Sequence, residues 1–191
     1  MRPPSQLRPL LSPGLIVMIK LKQPSLVLHS CDVPGYKYQM WQSWKMPKGA
    51  TPKDVIYWII YARNHTPELR LNNVIINCHG HDGKLYVGGD GQPTINNYNV
   101  GVFSELKNID LGAIWLVACE VANTGIGKYF CERMAQLAGC SVVAADANQY
   151  VETGSCPWGC VDNFEGHTFE WNGAGNKILV GQDGAGIPGV G

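Results

Sequence analysis

Two short apolar runs in this chain each end on a side chain that can do chemistry. Residues 74–78 (Val-Ile-Ile-Asn-Cys) lead into His79-Gly80, and residues 113–118 (Ala-Ile-Trp-Leu-Val-Ala) lead into Cys119. A thiol of pKa about 8.5 is only slightly ionised at neutral pH; a neighbouring imidazole favours the thiolate and later protonates a leaving amine. The pair His79 and Cys119 is therefore a candidate base and nucleophile. Gly80 lets the chain turn tightly beside a substrate and offers its backbone N–H to a tetrahedral oxyanion, with the Cys119 N–H as second donor. A cysteine that ends a buried strand is, taken alone, usually a small core residue, so the nucleophile reading rests on its pairing with His79. Cys78 is the rival thiol, but alternation along a strand puts residues 78 and 79 on opposite faces and sends Cys78 toward the core.

For the two side chains to meet, the runs must be neighbouring strands of a parallel sheet, whose C-terminal edge is where α/β proteins place their sites. The rest of the chain supplies such a frame. Residues 15–22 and 25–29 read as strands separated by Pro24. Residues 31–50 are aromatic and turn-rich, with Tyr36, Tyr38, Trp41 and Trp44, and show no clean period. Thr51, Pro52 and Asp54 signal a helix start, and Val55, Ile56, Ile59, Ile60 and Arg63 recur at threes and fours up to about Asn64. Residues 81–83 read as a turn, 84–87 as a short strand, 88–91 as a glycine loop, and 102–108 as a helix. A second long helix is expected over 124–138, with Ile126, Phe130, Met134 and Leu137 on one side and Gly139 closing it. Residues 141–145 follow as a strand, and 167–171 with 177–180 as a late hairpin around Asn172-Gly173-Ala174-Gly175. This alternation predicts an α/β fold with a mostly parallel sheet.

The chain has 191 residues, 45% of them apolar, which suits one domain over 15–181 between a polar N-terminal extension (1–14) and a glycine-rich tail (182–191), both expected to be flexible. Lys plus Arg and Asp plus Glu are 15 each, so the balance calls for neither nucleic acid nor an anionic membrane as partner. The aromatic stretch lacks interleaved arginines, and the glycine loop lacks the Lys-Ser/Thr ending of a phosphate loop. Seven cysteines without a compact framework read as reduced thiols, with Cys131 and Cys140 in the core. Cys156 and Cys160 leave a redox or disulfide link open; structural zinc would need them with His167 and a fourth ligand that is not evident, so no metal and no cofactor is assigned. No signal or transmembrane segment is visible, and the default location is cytoplasmic.

The pattern of an apolar strand ending in His-Gly, followed 40 residues later by an apolar strand ending in Ala-Cys, resembles the caspase-like cysteine peptidases. That clan (clan CD) includes metacaspases, gingipains, separases, self-cleaving toxin domains and CHAT domains. The stretch from Asn73 through Gln149 is most similar to the bacterial caspase-like domain of unknown function found at the start of some large surface proteins. The resemblance implies a three-layer α/β/α sandwich with a mainly parallel sheet of about six strands and a C-terminal antiparallel hairpin. It puts His79 after the third core strand and Cys119 after the fourth. It also implies His79 as general base, Cys119 as nucleophile, Gly80 and Cys119 as oxyanion donors, and a peptide or protein as substrate. Caspases proper carry a basic or polar residue and then glycine after the nucleophile. Here Cys119 is followed by Glu120-Val121, with no glycine until Gly125.

In the resembled families the strand after the nucleophile helix runs beside the pocket for the residue preceding the scissile bond. That puts Asp146, Asn148 and Gln149 near the substrate, and Asp146 as a partner for a basic side chain, or else as a residue that turns the chain after its strand. His81 and Asp82 orient substrate or simply form a polar turn. The expected activity is thus a His-Cys endopeptidase cleaving after a basic residue. The alternative is a caspase-like scaffold without chemistry that binds a protein or glycan through the aromatic residues at 36–44.

Overall fold

The computed structural model describes residues 18–33, 38–89, 94–149 and 156–182. The expected extension 1–14, the expected tail after Gln182, Tyr36 and the 90–91 half of the glycine loop lie outside the described residues. In chain order the strands are β1 (Met18–Lys20), β2 (Ser25–His29), β3 (Gln42–Lys45), β4 (Leu71–Asn77), β5 (His79–His81), β6 (Lys84–Tyr86), β7 (Thr94–Ile95), β8 (Leu111–Val117), β9 (Ser141–Ala145), β10 (Cys160–Asp162), β11 (His167–Trp171) and β12 (Lys177–Gln182). The helices are α1 (Pro52–Asn64) and α2 (Gly125–Ala138), and a 3₁₀ segment spans Val100–Leu106.

Seven strands form the main sheet in the order β12-β11-β9-β8-β4-β2-β3. The five from β3 to β9 run parallel, and β11 and β12 join antiparallel as the late hairpin. The central strands are buried on both faces, which is why they read as continuous apolar runs. In chain order β4 is the third strand of this sheet and β8 the fourth, paired with Asn77 beside Val117.

Alternation divides the core in two. Leu26, Leu28, Val74, Ile76, Ile114, Leu116, Val142 and Ala144 face Val55, Ile56 and Ile59 of α1, Phe103 of the 3₁₀ segment, and Phe130 and Met134 of α2. Val27, Ile75, Trp115, Val117 and Val143 face Ile19, Leu21, Tyr38, Met40, Val161 and Phe164. The fold is thus mixed α/β in three layers, but the third layer is not the expected second set of helices. Among the described residues both α-helices lie on one face, and the other is covered by the β1–β10 ribbon and irregular segments. Those segments are short and interrupted by Pro157 and Gly159, so strand pairing rather than a helix satisfies their backbone.

Helix α1 begins as its sequence dictates: the Thr51 hydroxyl accepts from the Asp54 N–H while the Asp54 carboxylate accepts from the Thr51 N–H (2.8 Å), with Pro52 in the first turn. Helix α2 is capped by Thr124, which accepts from the Ile126 N–H (3.1 Å), and closes at Gly139, whose φ of 69° is left-handed. Its buried face is Gly127, Phe130, Cys131, Met134, Ala135 and Ala138; Ile126, expected inside, is exposed. The expected helix over 102–108 is instead the 3₁₀ segment, and β5 extends into the expected 81–83 turn, leaving only Asp82 and Gly83 as its apex. No described helix is long and apolar enough to cross a membrane.

Candidate functional site

The two reactive runs end side by side. Past the last paired residues of β4 and β8, the Cys78 N–H still donates to the Val117 carbonyl (3.3 Å), and further on the Asp82 and Gly83 N–H groups donate to the carbonyls of Glu120 and Val121 (2.9 Å each). Residues 78–83 therefore run along residues 117–121 over their whole length. Between these anchors Gly80 approaches so closely that a Cβ there would stand 2.8 Å from the Ala118 Cβ and 3.1 Å from the Cys119 carbonyl oxygen. Only a residue without a side chain fits at that spacing.

His79 projects from the solvent face of β5 and is exposed, whereas Cys119 is half-buried. The Cys119 Sγ donates to the Gln149 carbonyl (3.6 Å) rather than to an imidazole, and the two side chains form no hydrogen bond with each other. The structure thus brings the two backbones together and leaves the thiol engaged by the loop after β9. Among the described residues the Cys119 N–H has no hydrogen-bond acceptor.

That loop is the second wall of the site. The Glu120 N–H donates to the Ala147 carbonyl (2.8 Å) and the Ala122 N–H to the Ala145 carbonyl (3.0 Å), which ties the turn after Cys119 to the end of β9. Asp146 lies here, but its carboxylate is shared with His167: Oδ1 accepts from the His167 N–H (2.8 Å) and Oδ2 lies 3.1 Å from His167 Nδ1. Asn148 is exposed, and the Gln149 side chain bridges Ala147 and Glu165.

His81 and Asp82 hold the turn after Cys119. His81 Nδ1 is 2.9 Å from Glu120 Oε2. Asp82 Oδ1 accepts from the N–H groups of Thr124 (3.0 Å) and Gly127 (3.1 Å), and its carboxylate also accepts from the Thr124 hydroxyl, so it occupies the N-terminus of α2. Burial alone would raise the Asp82 carboxyl, but the Thr124 and Gly127 hydrogen bonds and the neighbouring His81 outweigh it and hold it below the usual carboxylate range. Gly127 permits this approach, because a Cβ there would stand 2.8 Å from Asp82 Oδ1 and overlap the Val121 carbonyl.

Glu120 answers the missing glycine. Its φ is +52°, a left-handed conformation that glycine adopts freely and other residues rarely do. The turn after Cys119 thus takes a glycine-like path with a glutamate in it, clamped by the Ala147, Asp82 and His81 contacts. The pattern Cys-Glu-Val gives no hint of this, since the conformation is imposed by partners distant in sequence.

Beneath the edge, His29 at the end of β2 is buried, with Nδ1 2.9 Å from Asn77 Nδ2 and Nε2 3.1 Å from the Tyr38 carbonyl. Since the Asn77 amide donates to Nδ1, the ring is neutral with its proton on Nε2. Burial, despite the Tyr38 bond, and with Lys45 adding to it, lowers the His29 pKa. Cys78 is buried, and its thiol is pushed up by burial first and by Asp32 next, so it stays neutral. Cys131 and Cys140 are core thiols, and Cys156 and Cys160 are buried thiols rather than a disulfide. Among the described residues no three His, Cys, Asp or Glu side chains group so as to hold a metal ion.

Residues 53–159, more than half of the chain, match the family described as Domain of unknown function (DUF4347). The match runs from the first turn of α1 past the loop after β9 and includes His79, Gly80 and Cys119. No curated protein matches the chain.

Proposed function

We propose that this chain, which belongs to the DUF4347 family, is a caspase-like cysteine endopeptidase acting through His79 and Cys119. The observation that carries the reading is the run of contacts from the Cys78 N–H to the Gly83 N–H along residues 117–121, with Gly80 seated on Ala118. Two unrelated strand ends are held together at the sheet edge by close backbone packing, and each bears one member of a nucleophile–base pair. In the proposed reaction His79 takes the Cys119 proton, and Sγ leaves the Gln149 carbonyl to attack the scissile carbonyl carbon. The oxyanion is received by the Cys119 and Gly80 N–H groups, and His79 protonates the departing amine. Water then hydrolyses the thioester with His79 as base. Resting geometry in which the imidazole and the thiol do not yet touch is common before substrate binds. Asp146 is the carboxylate assigned to a basic side chain preceding the scissile bond, sharing its charge with His167.

The test combines chemistry with hydrolysis. Iodoacetamide applied to the native chain should label Cys119 and Cys31, the two cysteines that are not buried, and spare the other five until unfolding. Cys119→Ser and His79→Ala should each lower hydrolysis of a peptide library by about 10³-fold or more while leaving the melting temperature within about 3 °C. A Cys119→Ser chain that hydrolyses as well as the parent overturns the assignment.

A second reading, a scaffold that binds without chemistry, is favoured by one observation. Trp44, Lys45, Met46, Tyr57, Trp58 and Tyr61 line a cavity of about 300 Å³ between the edge strand β3 and α1. Hydrolysis lost in neither variant because none exists in the parent would favour it.

A further inference from the structure

The antiparallel register of the small sheet sorts its side chains onto two faces. His79 lies opposite Tyr86, His81 opposite Lys84, and Tyr86 opposite Thr94, while Gly80 lies opposite Leu85 and Leu85 opposite Ile95. Residues directly opposite share a face, so His79, His81, Lys84, Tyr86 and Thr94 stand on one side. Leu85 and Ile95, both fully buried, stand on the other. The face that carries His79 continues into a cavity of about 580 Å³, walled by Lys84, Tyr86 and Thr94 of the sheet, by Asn97 and Tyr98 after it, and by Tyr129 of α2. That volume is in the range of built ligand sites.

The wall of this cavity is unlike that of an ordinary surface hollow. Tyr98 is fully exposed and Ile126 and Tyr129 are more than half exposed, so large apolar side chains are held in water around one opening. Asn97 donates through Nδ2 to the Ile126 carbonyl (3.5 Å), which ties the segment after β7 to the first turn of α2. Asp82, also on the wall, is engaged with Thr124 and Gly127.

We infer that this cavity is a specificity subsite of the proposed peptidase, taking an aromatic side chain of the peptide substrate a few residues from the scissile bond. The inference rests on the reading of His79 and Cys119 as base and nucleophile, because the shared sheet face is what joins the cavity to the chemistry. Tyr86, Tyr98 and Tyr129 offer ring faces and edges to the incoming ring.

Two pools of synthetic octapeptides, random except for one central position fixed as Phe or as Ala, test it with the full chain. The parent is expected to hydrolyse the Phe pool at least about tenfold faster, and the Tyr98→Ala and Tyr129→Ala double variant to lose most of that preference while its rate on the Ala pool stays within about twofold. Binding of fluorescent forms of the two pools to a Cys119→Ala chain separates this inference from the one it rests on. Tyrosine-dependent binding of the Phe pool without hydrolysis by the parent would retain the subsite and overturn the dyad. Hydrolysis with equal use of both pools, or equal losses on both in the double variant, would overturn the subsite and retain the dyad. Neither hydrolysis nor preferential binding would overturn both.

Discussion

Gly80 and Ala118 touch across the gap between the two reactive strand ends, with room for no Cβ on residue 80: one placed there would lie 2.8 Å from that of Ala118. The Cys119 and Lys84 carbonyl oxygens, each 3.1 Å from the same position, close the other sides. Gly80→Ala should therefore push the Cys119 turn away and cost about 1–3 kcal/mol. If the contact with Ala118 is the cause, the double variant Gly80→Ala with Ala118→Gly recovers part of the loss, and urea midpoints of the four chains give a coupling above about 0.5 kcal/mol. Additive losses would show that the carbonyls alone set the spacing.

Glu120 carries its left-handed φ directly after the candidate nucleophile. Such a conformation costs a side-chain-bearing residue about 1–2 kcal/mol, most for a β-branched one. Glu120→Gly gives up the partly exposed His81 pairing, which contributes about 0–1 kcal/mol, and relieves the backbone, so its stability should stay close to the parent's. Glu120→Val should be less stable than Glu120→Gly by at least about 1 kcal/mol. Equal midpoints for the two variants would contradict the conformation.

His29 gives the fold a pH dependence of known sign. Its folded pKa lies below the ordinary value of about 6.5, so below that pH the unfolded chain binds a proton that the folded site refuses. Stability is then complete above about pH 6.5 and declines as pH falls from there through the lower folded value. His29→Gln, which keeps an acceptor near Asn77 and a donor near the Tyr38 carbonyl, should flatten this part of the curve of denaturation midpoint against pH. An unchanged slope would mean that another group titrates there.

Asp146 shares its carboxylate with His167, so in the proposed peptidase a basic substrate side chain would meet a charge already partly used. The parent should cleave matched substrates in the order Arg or Lys before Leu before Asp, and Asp146→Asn should lower kcat/KM for the basic pair by about tenfold and leave the Leu substrate within about twofold. His167→Ala should sharpen the basic preference by releasing the carboxylate. Equal losses on all four substrates would make Asp146 a residue that shapes the turn.

Much of the frame is written locally. The capping pattern Thr51-Pro52-Asp54, the glycine stop at Gly139, and the apolar runs of β2, β4, β8 and β9 each carry a period or an end signal that depends only on neighbours in sequence, and each is where its pattern puts it. The same runs fix the two chemical side chains at strand ends. What the sequence by itself leaves open is everything set by pairing between distant segments. β3 has mixed, half-buried residues because it is an edge strand, and β5 is only three residues long and exists through its pairing with β6, so neither has a local signature. β1 pairs with β10 across about 140 residues, and that ribbon covers the sheet face where helices are expected. The faces of α2 are likewise assigned by what packs on them, which leaves Ile126 outside. The site follows the same division. Residue types at 79, 80 and 119 are legible because they follow apolar runs, whereas the left-handed Glu120, the Asp82 contacts with α2 and the Gln149 carbonyl on Cys119 arise only when the loops after three strands meet at one edge. Local patterns encode where the main elements begin and end; the tertiary structure decides which of their faces are covered and which elements supply the partners.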